Sequence, residues 1–384
     1  MNFYGGHYIV GAKKFNCKLL AAIEATQTNQ PLIWEYHKDI FIKIKPHGLD
    51  LPTLYKQRAL LLREKYDYLI LNYSGGSDSW NILNTFLKNN IKLDHIFVKW
   101  PMRFVDKGLY TPNTVDRTAF NFPSEWDFVL KKDLEWISKE HPEIKIEIED
   151  WTDNLNESYF NDTLIQNSTY HTFMTNFLRV PFGSKTEVEL VERGLKVASI
   201  YGVDKPNIIE IKNKCYFFFQ DTDTGTCPVR PENPNGTVYF YSGVDFPQLA
   251  VEQAYAVYQH FKNNPQHRHF ICPRIKNPIY VLNKFNINRS KNYEDLTDLV
   301  RHVIYPDWDF KKFQAYKPVP IPEFYGKQKD IWFETIPEVN NIKQVWKHYW
   351  KSYVDLIDTK YKRINQELCT NRSFYYYLGE FDNI

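Results

Sequence analysis

The sequence predicts an α/β domain, a parallel twisted sheet with helices on both faces, followed by a mostly helical C-terminal region. Three observations predict it. Between residues 66 and 265, short apolar runs of strand length alternate with segments of helical spacing, the rhythm of a parallel sheet with right-handed crossovers. One of those strands runs straight into a glycine-rich turn and then a helix. Beyond about residue 265 the periodicity weakens and proline and aromatic residues accumulate. The expected division is therefore 1–65, a mixed lead-in; 66–265, the α/β domain; and 266–384, an aromatic-rich, mostly helical region.

The elements follow in chain order. Ile40 to Ile44 alternates as a strand does. Leu54 to Lys65 carries leucines among charges and reads as a helix, with Pro52 and Thr53 near its start. Tyr68 to Tyr73 is an apolar strand, Ser74-Gly75-Gly76-Ser77-Asp78-Ser79 a turn, and Trp80 to Leu87 a helix. Asp94 to Trp100 is a second strand, closed by Pro101. Glu125 to Glu140 is helical, Ile144 to Glu149 alternates as a strand, and about 153–178 looks helical. Leu195 to Tyr201 is a strand that ends in Gly202-Val203-Asp204-Lys205-Pro206. Ile208 to Ile211 and Tyr216 to Phe219 form a hairpin. Phe246 to Phe261 is a helix that Asp245 can cap, with Pro247 in its first turn. Lys317 to Pro322 is an extended proline-rich linker, and about 340–368 is helical and rich in Trp and Tyr.

Composition narrows the function classes. The 384 residues carry a net charge of +2, which neither requires a nucleic-acid partner nor excludes a local basic groove. No apolar run reaches the roughly 18 residues that span a bilayer, and the start lacks signal-peptide features, so the expectation is a cytoplasmic protein with no membrane partner. Five cysteines, widely spaced and without a C-x-x-C, fit reduced thiols and argue against a local zinc site. Aromatic residues make up 17% of the chain; they reflect either compositional bias or stacking surfaces for bases.

The turn at 74–79 carries the chemistry. Gly75 and Gly76 let backbone N–H groups approach an anion with no Cβ in the way. The helix that follows offers free N–H groups and its positive end, and Ser74, Ser77 and Ser79 add hydroxyls. No lysine lies in the loop, so it is not a Walker A site, and no G-x-G-x-x-G occurs in the chain.

Ser74-Gly75-Gly76-Ser77-Asp78-Ser79 after an apolar strand resembles the S-G-G-x-D-S signature of the PP-loop (N-type) ATP pyrophosphatases, and every fixed position of that six-residue pattern is met. The stretch from about Leu54 to Asp94 is also similar to phage-encoded, phosphoadenosine phosphosulfate reductase-like members of the superfamily. The resemblance implies a Rossmann-like fold of the HUP class. It implies cleavage of ATP between the α and β phosphates, with magnesium. A substrate oxygen would be adenylated with release of pyrophosphate. An amine, ammonia or sulfur nucleophile would then displace AMP, the work of an adenylating ligase or transferase.

Asp78 is then the first candidate for orienting the loop or holding magnesium, and Asp204 the second, with Lys205 beside it to contact phosphate. Gly202, Asp204 and Lys205 follow a later strand, so both loops can face one crevice; the other reading is a surface turn. Val98 and Lys99 end the second strand, where family members contact adenine through the backbone. Trp100 is either an adenine platform or a core aromatic, and Arg179 either a phosphate ligand or an ion-paired residue. The reductases' C-terminal cysteine motif is incomplete around Cys369, the zinc-binding cysteine cluster of deazaguanine synthases is missing, and position two is Asn where glutaminase-linked synthetases carry a nucleophilic cysteine. Cys227 reads as an ordinary thiol, and His260, His267 and His269 as a polar loop. The missing sulfur and zinc signatures favour amide or amine formation over thiolation. The substrate is an unidentified small molecule or nucleobase. A base-modifying enzyme acting on tRNA or DNA, or a non-catalytic nucleotide-binding module, are the other readings, and a homo-oligomer fits the family.

Overall fold

The computed structural model describes residues 6–15, 21, 24–25, 27–100, 102, 126, 130–150, 184–202, 205–221, 233, 235–271, 296–308 and 371–382. The chain opens with β1 (His7–Val10), β2 (Lys13–Phe15) and β3 (Leu32–Glu35), an antiparallel sheet in the order β2-β1-β3. A four-residue helix, α1 (Lys38–Phe41), comes next. This corrects the strand expected over Ile40 to Ile44. Glu35 Oε1 accepts from the Lys38 N–H at 2.8 Å, and Ile42 N–H bonds to Lys38 O at 3.0 Å. Only Phe41 is fully buried, while Ile42 is 53% exposed, so the apolar alternation has no sheet face behind it.

Helix α2 (Leu51–Lys65) begins one turn earlier than its leucine pattern suggested. Asp50 caps it, accepting from Thr53 N–H at 3.0 Å, with proline in the first turn. It buries Leu51, Leu54, Tyr55, Arg58, Ala59 and Leu62, a single stripe at helical spacing. Strand β4 (Tyr68–Asn72) follows, then α3 (Ser77–Lys88), β5 (His95–Trp100), α4 (Lys131–Glu140) and β6 (Lys145–Asp150). After α5 (Lys185–Glu192) come β7 (Val197–Tyr201), the hairpin β8 (Asn207–Ile211) and β9 (Lys214–Phe218), and β10 (Thr237–Tyr239). Helices α6 (Pro247–Asn263) and α7 (Leu296–Ile304) and strand β11 (Tyr376–Glu380) complete the described elements.

Five strands form a wholly parallel sheet in the order β10-β7-β4-β5-β6. Leu69, Ile70 and Leu71 of the central strand are each completely buried, as a strand covered on both faces must be. One face holds Leu69, Leu71, Ile96, Val98, Ala198 and Ile200 in the main core with α2, α3 and α6. The other face packs Ile70, Phe97 and Val197 against Leu190 and Val191 of α5. The expected α/β architecture with helices on both faces is therefore present.

The β8–β9 hairpin forms where expected, and it gains β11 from the far end of the chain in an antiparallel sheet of order β11-β9-β8. A strand lies at 376–380 inside the region expected to be mostly helical; the helix expected over 340–368 and that expected over 153–178 lie outside the described residues. Asp245 does not cap α6. The N-cap is Phe246, without a side-chain cap bond, and Asp245 instead pairs with the buried Arg58 at 2.9 Å. Arg58 also donates to the carbonyls of Tyr239 and Phe240, so the carboxylate is drawn to a buried cation and away from the helix start. Among the described residues, no helix is long and apolar enough to cross a membrane.

Candidate functional site

The strand order fixes where a ligand can sit. The chain steps from β4 to β5 to β6 on one side, then returns to β7 on the other side of β4. The order thus reverses between β4 and β7. Loops leaving the carboxyl ends of two such strands diverge and leave a crevice. They are the loop at 74–76 and the loop that begins at Gly202.

The first loop is built for close backbone approach. Gly75 has φ +73°, a conformation that favours glycine. Gly76 is the N-cap of α3, and its carbonyl accepts from Trp80 N–H at 2.9 Å. Ser79 braces the turn from inside: its Oγ donates to Gly76 O at 3.2 Å and accepts from Ser74 N–H at 3.3 Å. Ser74 Oγ lies 3.3 Å from the same hydroxyl and accepts from Gly76 N–H at 3.4 Å. Ser77 Oγ is different. It is buried and has no hydrogen-bond partner among the described residues. A buried hydroxyl without a partner costs about 1–3 kcal/mol, and it sits on the first turn of a helix whose leading N–H groups have no intrahelical acceptor.

The second loop packs directly on the first turn of α3, where the first loop ends. A Cβ added to Gly202 would lie 3.0 Å from Ser79 N, 3.1 Å from Asp78 C and 3.2 Å from Ile82 Cδ1. A side chain at 202 would therefore crowd the first turn of α3. Asn72 closes the strands beneath it, donating to Ser199 Oγ at 3.1 Å and Ile200 O at 3.2 Å. Lys205 reaches across so that its Nζ lies 2.6 Å from Asp78 Oδ1.

Asp78 is the electrostatic centre. Burial alone would raise its carboxyl, but the charges of Lys205 and Arg301 and the hydrogen bonds from Lys205 and Tyr305 win and hold it below the usual carboxylate range. Tyr305 OH donates to Asp78 Oδ1 at 2.5 Å; burial and the neighbouring carboxylate push its phenol well above its ordinary value, so it stays a donor. Tyr241, two residues past β10, donates to Asp78 O at 2.7 Å and accepts from Asn81 Nδ2 at 3.1 Å.

The end of α7 and the residues after it are clamped onto α2 and α3. Tyr55 OH donates to Ile304 O at 2.5 Å, Lys88 pairs with Asp307 at 2.9 Å, and Trp308 meets Trp80 edge-on at 5.4 Å. A cleft of about 150 Å³ opens there among Tyr55, Lys56, Asn81, Thr85, Lys88 and Pro306. It lies along α3 beyond the loops and is smaller than the roughly 300 Å³ at which ligand pockets begin.

The remaining candidates divide. Val98 and Lys99 pair in register with Ile148 and Glu149 of β6, while the β4–β5 register ends at Asn72 and Phe97. They therefore lie past the end of β4, on the edge the first loop occupies. Trp100 is buried and 6.1 Å from Trp126, so it is a core aromatic and not an open platform. Arg179, Val203, Asp204, Cys227 and Cys369 lie outside the described residues. His260 Nε2 and His267 Nδ1 are 3.0 Å apart with stacked rings. Among the described residues no group of three His, Cys, Asp or Glu side chains could hold a metal ion.

Sequence reasoning missed Tyr241, Tyr305, Arg301 and Asn81. Tyr241, Tyr305 and Arg301 act on Asp78 from more than 160 residues away, Asn81 acts through its bond to Tyr241, and no local pattern marks them. The chain matches no protein-family model, no curated protein and no solved structure.

Proposed function

We propose that the chain is an ATP pyrophosphatase of the PP-loop type, which holds the β and γ phosphates of ATP at 74–79 and adenylates a substrate oxygen. One observation carries the reading. The signature loop after β4 and the loop after β7 meet at the strand-order reversal, with Gly202 against Ser79 and Lys205 on Asp78. The residues fit a triphosphate. Gly75 and Gly76 put no Cβ between the backbone and an anion, the first turn of α3 offers N–H groups without an intrahelical acceptor, and the buried Ser77 Oγ has a hydrogen bond to give. Lys205 supplies positive charge that can pass from Asp78 to phosphate.

Magnesium commonly takes one or two carboxylates, with phosphate oxygens and waters completing its shell. Asp78 fits that share: Lys205 and Tyr305 both engage Oδ1, which leaves Oδ2 to face an ion. Bound there, the ion would neutralise the charge of the pyrophosphate leaving group. Catalysis by the chain's own groups is then positioning and charge neutralisation. Tyr305 and Tyr241 hold Asp78 in place, Lys205 follows the developing charge, and Val98 and Lys99 offer the strand edge on which adenine would lie.

Calorimetric titration with ATP and with AMP tests the reading. ATP should bind much more tightly than AMP, because the loop grips the outer phosphates. Lys205→Met should weaken ATP about tenfold or more and leave AMP nearly unchanged, given that a charge-assisted hydrogen bond contributes about 1.5–3 kcal/mol. Equal affinity for both nucleotides in the wild-type chain, or ATP affinity unchanged in Lys205→Met, would overturn the reading.

A further inference from the structure

The β11-β9-β8 sheet has two unlike faces. Its inner face buries Cys215, Phe217, Tyr376 and Leu378. Its outer face carries rings in continuous contact across two strands. Phe218 meets Tyr375 at 5.3 Å, Tyr375 meets Tyr216 at 6.4 Å, and Tyr216 meets Tyr377 at 5.8 Å. Tyr377 is 53% exposed. In register, Tyr216 stands between Ile209 and Tyr377. The exposed Arg372 lays its guanidinium 5.0 Å over Phe218 and donates to Tyr375 OH at 3.1 Å.

The exposed charges around these rings are mostly positive, with one exposed acid, Glu380, among them. Arg372 stands at one end, and exposed Lys212 and Lys214 at the hairpin end. The acidic residues of the three strands are Glu210 and Glu380. Glu210 is buried and paired with Arg268 at 2.9 Å, and Glu380 lies 3.5 Å from Lys214. An open antiparallel sheet face with contiguous tyrosine rings and cations at both ends offers two things at once: π-faces on which unpaired bases stack, and positive charge along a phosphate backbone. Asn207, opposite Phe218 in the register, follows Lys205 by two positions, so the platform starts beside the second loop of the candidate site.

We propose that the tyrosines of this face, Tyr375, Tyr216 and Tyr377, with Arg372 at one end, bind single-stranded nucleic acid by base stacking, the buried Phe218 only supporting Tyr375 by contact. The proposal does not depend on the ATP reading. It is tested on the full chain by fluorescence anisotropy with labelled oligouridine and oligothymidine of about 15 nucleotides, and with a duplex of equal length. Both single strands should bind, with affinity falling as salt rises, and the duplex more weakly. Tighter binding of the RNA would mean the 2′-hydroxyl is also contacted; equal binding would mean that rings and phosphates suffice. Tyr216→Ala with Tyr377→Ala should weaken binding roughly fivefold or more for each ring lost. Arg372→Gln, on an exposed side chain, leaves the sheet intact and should lower the slope of log affinity on log salt by about 0.7. No binding to either strand, binding unchanged in the variants, or a duplex bound as tightly as the single strands would overturn the proposal. So would a wild-type dimer in sedimentation that Tyr377→Ala dissolves, since the face would then join two copies of the chain.

Discussion

Gly202→Ala probes the contact between the two loops. The backbone at 202 needs no left-handed conformation, so the new methyl acts through space alone. It would sit 3.0–3.2 Å from Ser79 N, Asp78 C and Ile82 Cδ1, where ordinary contact begins near 3.4 Å. Two of those atoms are backbone in the first turn of α3 and cannot rotate away. The loops must separate by about 0.5 Å, at an overpacking cost of about 1–3 kcal/mol. A displacement of about 1 Å in a reacting group can cost 100-fold, so half of that predicts a loss of about tenfold in ATP turnover with Lys205 shifted from Asp78. Gly194→Ala is the control. Its φ is +85° and nothing lies within 4 Å of the added Cβ, so it should cost about 1–2 kcal/mol of backbone strain and leave ATP turnover alone. Urea unfolding and ATP turnover on both variants make the comparison. Gly202→Ala with unchanged stability and unchanged turnover would refute the claim that the loops form one site.

Tyr305→Phe removes the hydroxyl on Asp78 Oδ1 and should cost about 1.5–3 kcal/mol at pH 7. Because the folded Asp78 carboxyl is depressed, the stabilisation is present above the unfolded pKa and is lost as pH falls through the folded one; a stability difference that persists at pH 2 would count against the assignment. Glu252 is buried and accepts from the backbone N–H groups of His47, Gly48 and Leu49 at 2.7–3.2 Å. Glu252→Gln should destabilise by about 2–4 kcal/mol in denaturant unfolding, and a change under 0.5 kcal/mol would show the nest is dispensable. Burial pushes His95 down to about 4 against the pull of Glu147. Between pH 6.5 and 4 the unfolded chain takes up a proton that the folded chain refuses, so stability should fall by about 3 kcal/mol as pH drops through that window. His95→Gln should flatten this part of the profile, and an unaltered slope would contradict it.

How much was legible follows from how local each signal is. The stretch from 68 to 100 could be read directly, because apolar strand, glycine turn and amphipathic helix are adjacent and each has its own period. Pairing the loop at 74–76 with that at 202–205 needed only the rule that such loops share one end of a parallel sheet. Ile40 to Ile44 misled because a few residues of alternation also fit one helical turn with a single buried ring, Phe41. Thr237–Tyr239 is three residues long and carries no period of its own. Asp245 has the composition of a cap, but a buried guanidinium competes for it. Tyr241 and Tyr305 look like any other aromatic residue until the fold brings their hydroxyls to Asp78. Ser77 and Ser79 could not be told apart in the sequence; only the folded turn makes one a brace and leaves the other without a partner among the described residues.

The most direct test of the central claim is the product pattern from ATP and magnesium, with cell extract as the source of acceptor. AMP and pyrophosphate, lost in Asp78→Asn, is the predicted result. ADP and phosphate would contradict cleavage between the α and β phosphates, and ATP bound but never turned over would reduce the site to a nucleotide-binding module.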